Sequence, residues 1–95
     1  MTDDQRRLHK EVRTRLQRVL DLVSLELIDE SHLHQGHGAK GAHLRLIVVS
    51  SSFVNQSLID RHRLVFSALE GLLPDVIHAL SMQLYSPEEA PVAAR

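Results

Sequence analysis

The stretch HLRLIVVSSSFVNQSLIDRHRLVFSALEGLLPDVIHALSMQLY, residues 43–85, decides the fold because its hydrophobic period changes twice. Apolar side chains alternate with other residues over 44–50 and again over 77–85, which is the period of a strand with one buried face. Over about 57–72 they recur at steps of three and four, the period of an amphipathic helix. A strand, a helix and a strand in this order usually form a right-handed crossover between parallel strands. The stretch therefore predicts one such unit.

The same periods predict which residues share a face. Ser57, followed three residues later by Asp60, resembles a capping box at the helix start, and Pro74 follows the helix end. The predicted apolar face of the helix contains Leu58, His62, Val65, Phe66, Leu69 and Leu72. One face of the last strand is predicted to contain His78, Leu80, Met82 and Leu84.

The N-terminal half of the chain adds a helix and a strand. Residues 3–20 have the amphipathic helical period, and 23–27 alternate as a strand. The glycine-rich segment 31–42 predicts the long loop of an antiparallel hairpin with the first strand of the crossover unit. We expect a single domain over residues 1–95, with a C-terminal turn and a frayed tail from about 86. The fold class is α/β (α+β), in the order helix–strand–strand–helix–strand, with a three-stranded mixed sheet and the helices on one face.

Composition excludes several classes of function. The 95 residues carry a formal net charge of −1, which argues against bulk nucleic acid or an anionic membrane as an electrostatic partner. The chain has no cysteine, which excludes disulfides, cysteine-based zinc sites and iron–sulfur clusters ligated by this chain alone. The sequence contains neither an apolar leader nor an apolar stretch of membrane-spanning length. We therefore expect a soluble, cytoplasmic protein without a membrane partner.

Histidines concentrate in and directly after the predicted hairpin loop, at His32, His34, His37 and His43. Because the parallel strands of a crossover unit begin at the same end of a sheet, the topology brings this loop near His78. Neutral imidazole is the commonest protein metal ligand, and the glycines let the loop adjust to an ion or a cluster. The spacing lacks the HExxH motif that orients zinc ligands. The pattern indicates a metal site completed by another molecule. The alternatives are solvated loop histidines and a His78 that is bonded to a backbone carbonyl.

Four stretches of the sequence carry a resemblance to a known family. They are DESHLH from residue 29, HLRLIVVSSSF from residue 43, FVNQSLIDRHRLVFSAL from residue 53 and IHALSMQLYSPEE from residue 77. Together they resemble the BolA-like proteins over nearly the whole chain. The family signature runs from Phe53 through Ser57 and His62 to Val65, with Asn55 in place of its glycine. Asn is the non-glycine residue best able to take a positive φ, so the turn is expected to survive. The resemblance implies a fold related to class II KH domains.

The resemblance also implies a partner and a cofactor. BolA-like proteins form heterodimers with monothiol glutaredoxins, and the two proteins share a [2Fe–2S] cluster with glutathione. One family ligand is the histidine of the HAL segment, here His78, and the ES-x-x-H pattern assigns the other to His34. His37 and His43 remain alternatives to His34. The isolated chain is expected to hold no cofactor.

A second function stays open, which is transcriptional regulation through binding of single-stranded DNA or RNA by the KH-like fold. Arg61 and Arg63 flank His62 on the predicted helix, and Arg45 lies on the outward face of a strand. These arginines are candidate contacts to phosphates or to a protein partner. The alternative for Arg61 and Arg63 is an ordinary solvated helix surface, and His62 is expected to be packed and hydrogen-bonded. Residues 54–57 do not provide the GxxG loop of a KH domain.

Catalysis has the least support among the classes of function. The serines at 50–52 lack the glycine-flanked elbow of a hydrolase, and the paired acidic residues suit caps and turns. We predict no enzymatic activity. A further alternative is a docking module that binds its partner through the second helix and the edge of the third strand, without a metal. The free chain is expected to be a monomer or a weak homodimer formed through a strand edge.

Overall fold

The computed structural model describes residues 2–31 and 41–91 and contains two helices and three strands in the predicted order. The elements are α1 (Asp3–Val19), β1 (Leu22–Asp29), β2 (Ala42–Ser50), a 3-10 turn (Ser51–Phe53), α2 (Leu58–Ala68) and β3 (Ile77–Tyr85). The prediction for β3 is confirmed at both ends. Helix α2 is shorter than the predicted 57–72, because turns occupy residues 69–76.

The strand order β1-β2-β3 places β2 at the centre of a mixed sheet. Strand β1 pairs antiparallel with β2, with Leu25 opposite Val48, and β3 pairs parallel with β2, with Met82 opposite Leu46. The crossover prediction is therefore confirmed. Strands β2 and β3 begin at the same end of the sheet, and β1 ends there.

Both helices pack on one face of the sheet, as predicted. Val12 and Leu16 of α1 and Val65 of α2 join Leu46 and Val48 of β2 in one core, all with no exposed surface. Burial of aliphatic side chains stabilises the fold by about 1.5–3 kcal/mol for each one fully removed from water. Neither helix within 2–31 and 41–91 is long and apolar enough to cross a bilayer.

The predicted apolar face of α2 is wrong in part. Leu58 and Phe66 are 61% and 45% exposed, whereas Val65 and Leu69 are fully buried as predicted. The helix is rotated so that Arg61 shares the buried side with Val65. Hydrophobic periodicity assigns every arginine to the solvent, and it therefore misses one whose guanidinium finds internal partners.

The predicted face of β3 is also wrong at its histidine, His78. Ala42 pairs with Ile77 and His43 pairs with Ala79, so His78 has no partner of its own in the register with β2. Ile77 is fully buried, and His78 is exposed instead of sharing a side with the half-buried Leu80. One extra residue in a strand reverses the inward and outward alternation on either side of it. The irregularity thereby exposes the imidazole of His78.

Local signals at the chain turns are confirmed. The side chain of Ser57 caps α2 by accepting a hydrogen bond from the backbone N–H of Asp60 at 3.1 Å. Asn55 has a φ of 62°, the left-handed conformation expected of the residue that replaces glycine. The predicted C-terminal turn is present, with the N–H of Glu89 bonded to the carbonyl of Ser86 at 3.1 Å.

Candidate functional site

Two imidazoles meet where β2 and β3 begin. The ring centroids of His43 and His78 lie 5.4 Å apart, with their planes tilted by 49°. His43 is 8% exposed, whereas His78 faces the solvent. The prediction that the crossover topology brings these residues together is therefore confirmed for this pair. His34 and His37, which were predicted to join them, lie with His32 outside the described residues.

The pair consists of two imidazoles, the side chain that most often binds metals in proteins. Two imidazoles on one metal, with nitrogens at about 2 Å from it, hold those nitrogens no more than about 4 Å apart. Ring centroids 5.4 Å apart leave room for such an arrangement when a nitrogen of each ring points towards the same ion, and both ring nitrogens of His43 are buried. Within residues 2–31 and 41–91, no group of three or more His, Cys, Asp or Glu side chains is arranged to hold a metal ion. The described residues thus bring two imidazoles side by side, the exposed His78 and the buried His43, and a tetrahedral metal site would need further ligands from elsewhere.

The histidine-rich segment comprises residues 32–40, and the chain enters it through a group of hydrogen bonds at the end of β1. The carboxylate oxygen Oδ1 of Asp29 accepts the N–H of Ser31 at 2.8 Å. The hydroxyl of Ser31 accepts the N–H of His43 at 3.0 Å, and the N–H of Glu30 donates to the carbonyl of His43 at 2.7 Å. The backbone of His43 is therefore held on both its N–H and its C=O.

The chain leaves the segment through Gly41, which has a φ of +81°. A Cβ at this position would collide with the carbonyl oxygen of Asp75 and lie 3.3 Å from the Cβ of His78. The next residue, Ala42, donates its N–H to the carbonyl of Val76 at 2.9 Å. The exit of the segment is thus packed directly against the turn that precedes His78, and only glycine allows this approach.

The carboxylate of Asp29 also contacts helix α1. Its oxygen Oδ2 lies 3.3 Å from Nε2 of Gln5 and 3.5 Å from Nε2 of His9. Burial by itself raises the pKa of Asp29, but the hydrogen bonds from Ser31 and the contact with His9 outweigh burial, so the pKa lies below its ordinary value. Sequence reasoning missed this residue, although an Asp two positions before a Ser is a signal for a side-chain turn.

Arg61 is an internal residue, so the alternative that it lies on an ordinary solvated helix surface is wrong. It is 8% exposed, and its guanidinium forms a bidentate ion pair with Glu89 at 2.6 and 3.2 Å. It also donates to the carbonyls of Gln56 at 3.0 Å and Leu84 at 3.2 Å, and it lies 5.7 Å from the ring centroid of Phe53. These contacts hold the guanidinium inside the molecule, so it is not free to contact phosphates or a protein partner.

The partner of Arg61 is a residue that sequence reasoning did not identify. The hydrogen bonds from Arg61, and after them those from Ser86, lower the pKa of Glu89 to about 2. Glu89 follows the end of β3 by four residues, so its pairing with a helix residue 28 positions earlier carries no local sequence signal. Together, Arg61 and Glu89 attach the C-terminal turn to α2.

The other predicted contact residues differ in their accessibility. The side chain of Arg63 is 75% exposed, with Nη1 3.5 Å from a carboxylate oxygen of Asp60. Arg45 lies on the outward face of β2, as predicted, but its guanidinium is 3.1 Å from the carboxylate of Glu30. His62 is half-buried on α2. Arg63 is therefore the most accessible of the three predicted arginines.

The fold and the paired imidazoles define a class before any comparison, namely a small α+β domain with a histidine pair at one end of its sheet. The family model described as "BolA-like protein" matches residues 16–89. The chain therefore belongs to the BolA-like protein family.

Individual relatives agree with this assignment. BolA-like protein 1 of Bos taurus is 40% identical over 78 residues, which cover 82% of this chain and 58% of that protein. The DNA-binding transcriptional regulator BolA of Escherichia coli is 28% identical over 82 residues, which cover 86% of this chain and 78% of that protein. The structure of the BolA domain of SufE1 from Arabidopsis thaliana has a TM-score of 0.75 at 38% identity, covering 85% of this chain and 93% of that domain. This chain thus spans only part of some relatives, and the likeness in structure extends over nearly the whole solved domain.

Proposed function

We propose that this protein is a non-enzymatic adaptor in iron homeostasis that binds a monothiol glutaredoxin and co-ligates a glutathione-containing [2Fe–2S] cluster. The observation that carries the proposal is the pair formed by His43 and His78, whose ring centroids lie 5.4 Å apart, with His43 just after a segment that contains three further histidines. The resemblance of the histidine-bearing motifs to those of the family supports it.

The proposal requires two histidine ligands from this chain. His78 is the first ligand, because it is exposed at the irregular start of β3. The resemblance assigns the second ligand to His34, with His37 and His43 as alternatives. The chain has no cysteine, so the thiolates come from the glutaredoxin and from glutathione. Histidine in place of cysteine raises the potential of such a cluster and makes its ligation sensitive to protonation. These properties suit cluster transfer or sensing.

A titration of the protein into a glutathione-ligated [2Fe–2S] monothiol glutaredoxin, followed by visible absorption and circular dichroism, tests the proposal. We expect a new spectrum that saturates near one equivalent. His78→Ala should abolish it, and among His34→Ala, His37→Ala and His43→Ala the variant of the second ligand should alter it most. His62→Ala removes a half-buried histidine from α2 and is the matched control, with the wild-type spectrum expected.

An unchanged spectrum with folded wild-type protein would contradict the proposal. So would a His78→Ala variant that keeps the wild-type spectrum, since His78 is the ligand common to every assignment. Either result would favour the alternatives, which are docking without a metal or nucleic-acid binding.

The nucleic-acid alternative draws on the name of the Escherichia coli relative, a DNA-binding transcriptional regulator. In this chain Arg61 is engaged internally and Arg45 is paired with Glu30, which leaves Arg63 exposed on α2. A net charge of −1 adds no general attraction to phosphates. The histidine pair therefore supports the cluster proposal more strongly than the arginines support this alternative.

A further inference from the structure

Asp29 ends β1 with a carboxylate that is mostly shielded from solvent, its side chain being 14% exposed. One oxygen accepts the N–H of Ser31 at 2.8 Å, and the other faces Gln5 at 3.3 Å and His9 at 3.5 Å, both from α1. A charge withdrawn from water is costly unless it is paired and hydrogen-bonded. Each oxygen of Asp29 has such contacts, and they lie on different elements of the fold.

A short chain of hydrogen bonds leads from Asp29 to the histidine pair. Asp29 orients Ser31 through its N–H, and the hydroxyl of Ser31 accepts the N–H of His43 at 3.0 Å. The carbonyl of His43 accepts the N–H of Glu30 at 2.7 Å, so the link binds the backbone of His43 from two sides. The ring of His43 lies 5.4 Å from that of His78.

We infer that Asp29 is a positioning residue, which ties α1 to the entrance of the histidine-rich segment and holds His43 beside His78. This inference rests on the proposed function, because the geometry that Asp29 maintains is that of the proposed ligand site. It assigns a role to a residue that lies in the DESHLH stretch but to which neither the motifs nor the histidine pattern gave one. It also assigns a role to the first turns of α1, where Gln5 and His9 brace the carboxylate.

The matched variants differ in which bonds they retain. Asp29→Ala removes both sets of contacts, whereas Asp29→Asn keeps an acceptor oxygen for Ser31 and suits the same side-chain turn. Glu26→Ala removes one acidic side chain from an exposed position of the same strand and is the control for charge. Unfolding by urea, with the histidine region monitored by NMR, establishes that each variant is folded.

Amide hydrogen exchange at His43 gives a readout that requires no partner. Asp29→Ala should accelerate this exchange relative to the wild type, because the Ser31 hydroxyl that accepts the His43 N–H loses its orientation. Asp29→Asn should restore much of the protection, and Glu26→Ala should leave it unchanged. Exchange at His43 that is equal in Asp29→Ala and the wild type would overturn the inference.

The cluster titration gives the functional readout. Changes to residues that orient a ligand lower metal affinity by about tenfold or more, so Asp29→Ala should weaken formation of the shared-cluster spectrum by on the order of tenfold. Asp29→Asn should recover most of the wild-type titration. If the wild type forms the cluster and Asp29→Ala titrates identically, the inference fails while the proposed function stands. If the wild type forms no cluster, the proposed function fails, and the role of Asp29 at a ligand site fails with it.

Discussion

The two ends of β3 contrast in how they use polar side chains. At its start, His78 is exposed and lies beside His43, just after the exit of the histidine-rich segment. Near its end, about 20 Å away along the strand, the carbonyl of Leu84 is bonded to the buried Arg61, which pairs with Glu89. Arg61 belongs to the sequence signature that most resembles a functional motif, yet its contacts are internal. A conspicuous motif of charged residues can therefore stabilise the fold, while the exposed histidine lies at the other end of the strand.

The contrast extends to the rest of the signature. Phe53 has no exposed surface, Asn55 takes a left-handed turn, and Ser57 caps α2. Each of these residues has a structural role that follows from its own chemistry. Arg63 is exposed, and it is the signature arginine that is accessible to a partner. The signature residues thus mainly hold together α2, the end of β3 and the C-terminal turn.

The largest effect on this comparison is expected from Arg61→Ala. The change removes the hydrogen bonds to the carbonyls of Gln56 and Leu84 and deprives Glu89 of its guanidinium partner. Breaking such a buried network should lower the free energy of unfolding by on the order of 2–4 kcal/mol, measured by urea denaturation. Arg63→Ala is the control on the same helix and should cost less than about 0.5 kcal/mol. An equal loss of unfolding free energy in the two variants would show that Arg61 does not hold these elements together.

An intermediate effect is expected at the histidine end from Gly41→Ala. Both Gly41 and Gly71 have a positive φ, at +81° and +88°, but a Cβ would collide with the carbonyl of Asp75 only at Gly41. Gly71→Ala should therefore lower the free energy of unfolding by about 1 kcal/mol through the backbone alone, and Gly41→Ala should lower it by about 1–2 kcal/mol more. The NMR signals of His78 should shift only in Gly41→Ala. Equal destabilisation by the two changes would show that the close packing of Gly41 against the turn before His78 is not important for the fold at this end.

The smallest effect is expected from the charge of Glu89, because half of its side chain is exposed. The hydrogen bonds from Arg61, followed by those from Ser86, lower the pKa of this carboxyl from 4.5 to about 2 in the folded state. A depressed folded pKa contributes stability that is complete above pH 4.5 and is lost as the pH falls through about 2. An NMR titration of the carboxyl carbon should show the low midpoint. Glu89→Gln should flatten the dependence of stability on pH across that window, and a midpoint near 4.5 would contradict the ion pair.

Much of the architecture was predictable because it depends on local periods and turn chemistry. The boundaries of β3, the cap at Ser57 and the turn at Asn55 all follow from properties of neighbouring residues. The approach of His43 to His78 was also predictable, because parallel strands of a crossover unit begin at one end of a sheet. The roles of Asp29 and Arg61 were not, since each depends on partners from distant elements.

By itself, the sequence determined the order of helices and strands, the absence of thiolate ligands and the concentration of histidines in one segment, because composition and period are properties of the chain alone. Only the tertiary structure decided that Arg61 turns inward, that His78 turns outward and that Asp29 joins α1 to the histidine end. The physical reason is that a buried charge depends on partners brought from elsewhere in the chain. Likewise, a single irregularity in strand pairing reverses which side a residue faces.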